Sequence, residues 1–527
     1  MASSLLTILI FLPTLGALLA LLVRTSVVAR WTALGTTLLC FALSLLLALL
    51  FDWRHAGPYA YAADGGTVQM VQDAVWIGAF NVHYKVGVDG LSLPLILLTT
   101  FVSALAVIAS WNIEKMARGY LALLLLLETA ILGVFCSLDL FLFYVFFEVT
   151  LLPMYFLIGI WGGPRREYAA LKFFLYTLAG SIALLVAVIG VYLYSRRVIP
   201  GGTFDLITLA SPGFRTQLAA LMGGAAGTAG KSFFCLLMVG FFVKVPAVPL
   251  HTWLPDAHVE APTPISMVLA ALLLKLGGYG IFRVAYPLFP EAAKLLWMPV
   301  AIIGVVSILY GALCAMAQSD FKRLVAYSSI SHMGLVTLGA ALMTPAGFNG
   351  ALFMMVSHGV TSAMMFFVVG VIYDRVHHRV LGRLGGIASV MPVYAGFGAV
   401  AIFAALGLPG LCGFVGEVMV LLGSFGAARG DSILVRGHYA AASQIYPIAI
   451  LACFGLILTA GYMLWALQRV FFGPARPEYA TLPDLDNREL TVLTPLAVMA
   501  ILLGIIPGAL VFLFTNTTVA ALLKLFA

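Results

Sequence analysis

Four ionisable side chains lie inside long apolar runs. Glu148 falls in Tyr144-Val145-Phe146-Phe147-Glu148-Val149, Lys244 in Phe241-Phe242-Val243-Lys244-Val245-Pro246, Lys275 in Leu273-Leu274-Lys275-Leu276-Gly277, and Glu417 in Phe414-Val415-Gly416-Glu417-Val418. A charge at the centre of a bilayer helix costs roughly 2.5–3.5 kcal/mol, so four unpaired charges cost on the order of 10–14 kcal/mol. They must face one another or water. His332 (Ser331-His332-Met333-Gly334) and His358 (Val356-Ser357-His358-Gly359) join them. Imidazole titrates at about pH 6.5, which suits a proton relay. Each histidine taken alone reads equally as a structural hydrogen-bonder, and neither has a second metal ligand three or four residues on. Together the six residues have the chemistry of a path for protons or small cations. A static Glu148–Lys244 ion pair is the plainer alternative, but a buried pair seldom offsets its own desolvation.

Other chemistries find little support. The six cysteines (Cys40, Cys136, Cys235, Cys314, Cys412, Cys453) stand singly in apolar segments, without the spacing of an iron–sulfur cluster or a disulfide framework. No GxGxxG dinucleotide motif and no P-loop occurs, so no cofactor is expected in this chain.

Of 527 residues, 63% are hydrophobic and 9% charged, against about 25% charged in soluble domains. The fold class is an all-α polytopic membrane protein. The net charge of +7 lies mostly in short loops and reads as a topology signal, not as nucleic-acid binding. Arg24, the first basic residue, follows the first apolar run, so the N-terminus reads as a plain span rather than a signal peptide.

A span needs about 20 apolar residues. On that rule spans 1 to 14 fall near 4–23, 31–52, 86–110, 119–136, 138–160, 168–195, 231–253, 262–286, 294–317, 322–343, 347–373, 388–426, 442–472 and 490–516. Glu148 then lies about 15 Å into span 5. Span 7 is interrupted at Pro246 and Pro249, and span 12 is split by Gly407-Leu408-Pro409-Gly410. Paired breaks in corresponding positions point to an internal transporter repeat. Spans 4–8 (119–286) and 9–13 (287–473) form the two units, flanked by 1–118 and 474–527. An odd number of spans per unit makes the second inverted relative to the first. Loops after odd-numbered spans carry most Lys and Arg, which puts them in the cytoplasm and both termini outside. The longest connections are 53–85 and 196–230, neither a separate domain.

Lesser candidates remain open. Glu128 in span 4 reads as a secondary site or an interface residue. Asp139 reads as a helix cap. His251, Asp256, His258 and Glu260 follow span 7, either guarding a cytoplasmic mouth or forming a solvated loop.

The run from Val243-Lys244-Val245-Pro246 through His251-Thr252-Trp253-Leu254-Pro255-Asp256-Ala257-His258 resembles the antiporter-like, proton-translocating subunits. That family is shared by respiratory complex I, membrane-bound hydrogenases and multisubunit cation/proton antiporters. Leu274-Lys275-Leu276-Gly277-Gly278-Tyr279-Gly280, Ser319-Asp320-Phe321-Lys322 through His332-Met333-Gly334, and Gly407-Leu408-Pro409-Gly410 through Glu417 carry the same resemblance, which runs from about 86 to 473. Leu411-Cys412 departs from it, where smaller or more polar residues are usual. Within the family the chain is most similar to the M-type branch of NADH:quinone oxidoreductase, the counterpart of mitochondrial subunit 4. Span 12 carries Glu417 where the L type has Lys, no long C-terminal amphipathic helix of the L type follows, and Gly87-Val88-Asp89-Gly90-Leu91-Ser92 fits the M and L pattern.

The resemblance implies that Glu148 and Lys244 form a coupling pair, Lys275 and His332 central relays, His358 a connector and Glu417 the exit. It implies NADH, FMN, iron–sulfur clusters and quinone in partner subunits, L-type and N-type subunits and lipids as neighbours, and a bacterial inner membrane. Lys244 would hold its proton while Glu148 is close and release it toward Lys275 when the two separate. A cation/proton antiporter or hydrogenase subunit shares these residues. A passive scaffold would not need them.

Overall fold

Without water to bond to, backbone groups within a membrane must pair inside their own segment, so long apolar runs become helices. The computed structural model describes residues 4–53, 68–224, 227–474 and 476–526. Among them twelve helices are long and apolar enough to cross a membrane: Ser4–Leu22, Ser26–Leu50, Ala117–Cys136, Leu140–Trp161, Arg166–Ser195, Thr263–Leu288, Trp297–Met316, Phe321–Ala341, Pro345–Val376, Cys412–Arg436, Ala442–Phe471 and Asn487–Ile505. The shorter Leu93–Ala109 supplies span 3. Span 7 is the broken pair Thr228–Lys244 and Trp253–Glu260, which completes the fourteen expected.

The all-α class holds, and the start of span 3 differs from its expected position. Residues 86–88, assigned to span 3, belong to a strand. Gln69–Ile77 (β1) and Val82–Val88 (β2) form an antiparallel hairpin, turned at Asn81 with φ 54°. The hairpin fills part of the connection 53–85, and Asp64 and its neighbours 54–67 lie outside the described residues. Connection 196–230 holds two short helices, Leu206–Ala210 and Pro212–Leu221. Span 14 ends at Ile505, and helical turns resume after Pro507.

Span 12 splits as expected into Pro392–Ala405 and Cys412–Gly426, with Gly407 and Gly410 at φ 80° and 90°. Left-handed backbone at two positions of a six-residue break is where glycine is needed. Span 8 is less regular than its sequence: π turns at Leu269–Leu273 and Ile281–Ala285 interrupt it. Spans 8 and 11 are the most completely buried of these long helices.

The same local device opens spans 5 and 10. Asp139 accepts the N–H groups of Phe141 and Leu142, and Asp320 that of Arg323. Beside Asp139, Leu140 N–H bonds Phe204 O at 2.8 Å and Leu206 N–H bonds Leu138 O at 2.9 Å. Beside Asp320, Phe321 N–H bonds Arg379 O and Leu381 N–H bonds Ser319 O, both at 2.8 Å. Five spans separate the two devices, so they lie on opposite faces. The hairpin joins the first: Leu138 N–H bonds Lys85 O, and His83 N–H reaches Asp139.

Candidate functional site

Helix irregularities supply the polar groups of the site. A π turn takes a carbonyl off the regular ladder, and Lys275 Nζ donates to the one at Ala270 at 2.6 Å. The break in span 12 frees the Ala405 carbonyl, which lies 2.9 Å from His332 Nε2. Lys244 is the last residue of the first half of span 7.

Four of the six candidate residues form one continuous line. Lys275 Nζ is 2.7 Å from His358 Nδ1. The His358 and His332 ring centroids are 5.3 Å apart. His332 Nε2 lies 3.8 Å from Glu417 Oε1. All four are buried, Lys275 completely. The line crosses from span 8 through spans 11 and 10 to span 12, with His358 between the lysine and His332, the position of a connector. An amine, two imidazoles and a carboxyl in sequence can each bind and give up one proton, and each step is within reach of a hydrogen bond or a short side-chain swing.

Glu148 and Lys244, expected as a coupling pair, stand apart without a direct ion pair between them. Lys244 Nζ donates to Thr150 Oγ1 at 3.3 Å and lies 5.1 and 5.8 Å from the ring centres of Phe147 and Phe173. No carboxylate stands within 4 Å of it among the described residues. Glu148 is half-buried, near Ser181, with Oε1 unbonded. The two charges act on each other across the gap, so the geometry is that of a separated pair. The reason is local: Thr150 and two aromatic faces already hold the ammonium, an arrangement of cation–π contacts. Lys244 and Lys275 share no hydrogen bond, although their helices touch where Gly277 lets span 8 approach the Phe241 carbonyl.

Two residues that the sequence left open are resolved. Glu128 is buried, faces Cys40 of span 2, and has neither carboxyl oxygen bonded. His258 is no solvated loop residue. It sits on the helix Trp253–Glu260, fully buried and stacked on Phe366 at 4.3 Å. A further pair went unnoticed: Arg283 makes a two-pronged contact with Asp89 at 2.5 and 2.6 Å, both buried. The sequence signal was available, since Arg283 also lies inside an apolar span, but its partner is 194 positions away.

Comparison with known proteins identifies the family. Residues 137–437 match a family described as NADH:quinone oxidoreductase/Mrp antiporter, TM, and residues 67–134 match NADH-ubiquinone oxidoreductase chain 4, amino terminus. NADH-quinone oxidoreductase subunit M of Rhodobacter capsulatus is 42% identical over 96% of this chain and 94% of its own. NAD(P)H-quinone oxidoreductase chain 4 1 of Synechococcus sp. (strain JA-3-3Ab) is 39% identical over 99% and 93%. A chain of respiratory complex I from Thermus thermophilus superposes with a TM-score of 0.82 at 30% identity, covering 99% of this chain and 100% of that one. With its broken seventh and twelfth spans and a mid-membrane line of titratable groups, the chain belongs to the NADH:quinone oxidoreductase subunit M family of antiporter-like membrane proteins.

Proposed function

We propose that this chain moves protons within the membrane arm of an NADH:quinone oxidoreductase, with Glu148 and Lys244 as the coupling pair, Lys275, His358 and His332 as relays and Glu417 as the exit. The observation that carries the reading is the unbroken line Lys275–His358–His332–Glu417. The redox energy arises in partner subunits holding NADH, FMN, iron–sulfur clusters and quinone, since the sequence carries neither a dinucleotide motif nor the cysteine spacing of a cluster. L-type and N-type subunits are the expected neighbours in a bacterial inner membrane, with both termini on the outer side. The matched Asp139 and Asp320 devices on opposite faces support two inverted units, 119–286 and 287–473, between flanks 1–118 and 474–527.

The coupling step follows from the separated pair. While Glu148 stays apart, Thr150 and two rings are the direct partners of the Lys244 ammonium among the described residues; approach of the carboxylate holds the proton, and retreat releases it toward Lys275. The relatives at 36–42% identity are named as subunits of NADH-quinone and NAD(P)H-quinone oxidoreductases, which favours this reading over an antiporter or hydrogenase subunit. The test uses the assembled complex in sealed vesicles, comparing NADH oxidation with proton uptake. Lys275→Ala, Lys244→Ala and Glu148→Gln are each expected to cut pumping at least tenfold. Full pumping in all three, with the complex intact, would reject the reading.

A further inference from the structure

A cavity of about 440 Å³ opens on the face bearing the even-numbered loops, a volume in the range of small-molecule pockets. Three parts of the chain build it: the short helix Pro212–Leu221, the start of span 7, and the turn between spans 8 and 9. Leu218, Met222, Leu288 and Phe289 supply an apolar wall.

Three charged side chains line the same cavity, Arg215, Lys231 and Glu291. The acid is already engaged: Glu291 Oε1 lies 2.7 Å from Lys294 Nζ, and Oε2 accepts from the Tyr439 hydroxyl at 3.2 Å. Arg215 Nη1 donates to the Leu525 carbonyl at 3.4 Å. The Lys231 ammonium has no hydrogen bond and no carboxylate within 4 Å among the described residues. Local forces do not account for its position. Lys231 sits in the first turn of Thr228–Lys244, where the helix dipole repels a cation. Lys and Arg also favour the cytoplasmic loops, yet Arg215 and Lys231 both stand on the opposite face.

We propose that this cavity binds an anionic phospholipid, with its phosphate between Lys231 and Arg215 and an acyl chain along Leu218, Met222, Leu288 and Phe289. Lys231 lies where span 7 enters the membrane, the depth of a lipid headgroup. An ammonium takes a phosphate as a point charge and a guanidinium through paired N–H groups. Basic pockets between spans recognise lipid headgroups by the same chemistry. A free phosphate ion would meet the two cations but leave the apolar wall facing water, so the lipid is the occupant that uses both halves of the cavity. The site shares no residue with the proton path.

The experiment uses the whole complex in phosphatidylcholine vesicles containing a phosphatidylglycerol whose acyl chain carries a diazirine. After irradiation, adducts are mapped by mass spectrometry. Residues 212–222 and 286–292 are expected to be labelled at least about fivefold more than by a diazirine-bearing phosphatidylcholine. Lys231→Gln is expected to bring the label down to the phosphatidylcholine level, while Lys231→Arg keeps it. Ala219→Trp, which fills the cavity and leaves both cations in place, is expected to remove it. Equal labelling by the two lipids, or full labelling in Lys231→Gln, overturns the proposal. So does displacement of the label by excess inorganic phosphate, which would mark a site for the free ion. Absence of label from either lipid also overturns it and points to a partner subunit covering the cavity.

Discussion

Asp89 and Arg283 form the most completely buried ion pair described, tying the start of span 3 to span 8, and Arg283 Nε also donates to Tyr279. Removing one partner of such a pair strands the other charge, at a cost of about 3–5 kcal/mol. Arg283→Met is therefore expected to lower the yield of assembled complex and its thermal midpoint, as read by native gel and differential scanning. Asp139, at the extramembrane cap of span 5, gives a pH-dependent counterpart. Burial pushes its carboxyl up to about 6 from 3.8, against N–H bonds from Leu142, His83 and Phe141 that pull it down. The folded state then binds this proton more tightly than the unfolded chain, so the site's contribution to stability is fullest below about pH 4 and falls as pH rises through about 6. The drop in thermal midpoint between pH 5 and 7 is expected to shrink in Asp139→Asn. At this scale the sequence showed which charges were anomalous, because hydropathy exposes them directly. It did not show their partners: Arg283 and Asp89, or Lys275 and His358, meet only through tertiary packing.

Breaks in helices were readable because proline and glycine mark them. Pro246 with Pro249 and Gly407 with Gly410 mark both interruptions in the sequence itself. The irregularity of span 8 left no proline or glycine inside its π turns, which run through Leu, Ala, Ile, Phe, Arg and Val. The hairpin did leave one. Val82, Tyr84, Val86 and Val88 alternate with period two, as a strand requires, but continuity with the apolar run of span 3 masked the signal. The break in span 12 sets the position of its glutamate. A Cβ on Gly407 would stand 2.0 Å from Glu417 Oε2, at a backbone φ of 80° that a side chain resists. Gly407→Ala is expected to push the carboxylate away from His332 and slow pumping roughly tenfold in a complex that still assembles. Proton-uptake rates normalised to assembled enzyme would check this.

For the molecule as a whole, span count and class followed from composition and run length, while the order of contacts did not. Docking of the last span is one such case. Arg375 at the end of span 11 grips Glu489 through two nitrogens, at 2.7 and 2.9 Å, and also donates to the carbonyls of Pro483 and Asp484. Glu489→Gln keeps the capping geometry with Asp486 but weakens the charge pairing by about 1–3 kcal/mol. Faster proteolysis of the 474–486 connection, with spans 1–13 unaffected, is the expected result. The relay has a consequence at the same scale. Lys275, His332 and His358 each fall near the middle of their helices, and Glu417 follows a break at the same level. A charge passing between them travels sideways, almost perpendicular to the electric field, whereas full passage across the bilayer takes about 2.3 kcal/mol per 100 mV. In the proposed relay, electrical work would be concentrated in the approach to Lys275 and the departure from Glu417, and membrane voltage would throttle those two stretches while leaving the interior exchange nearly untouched.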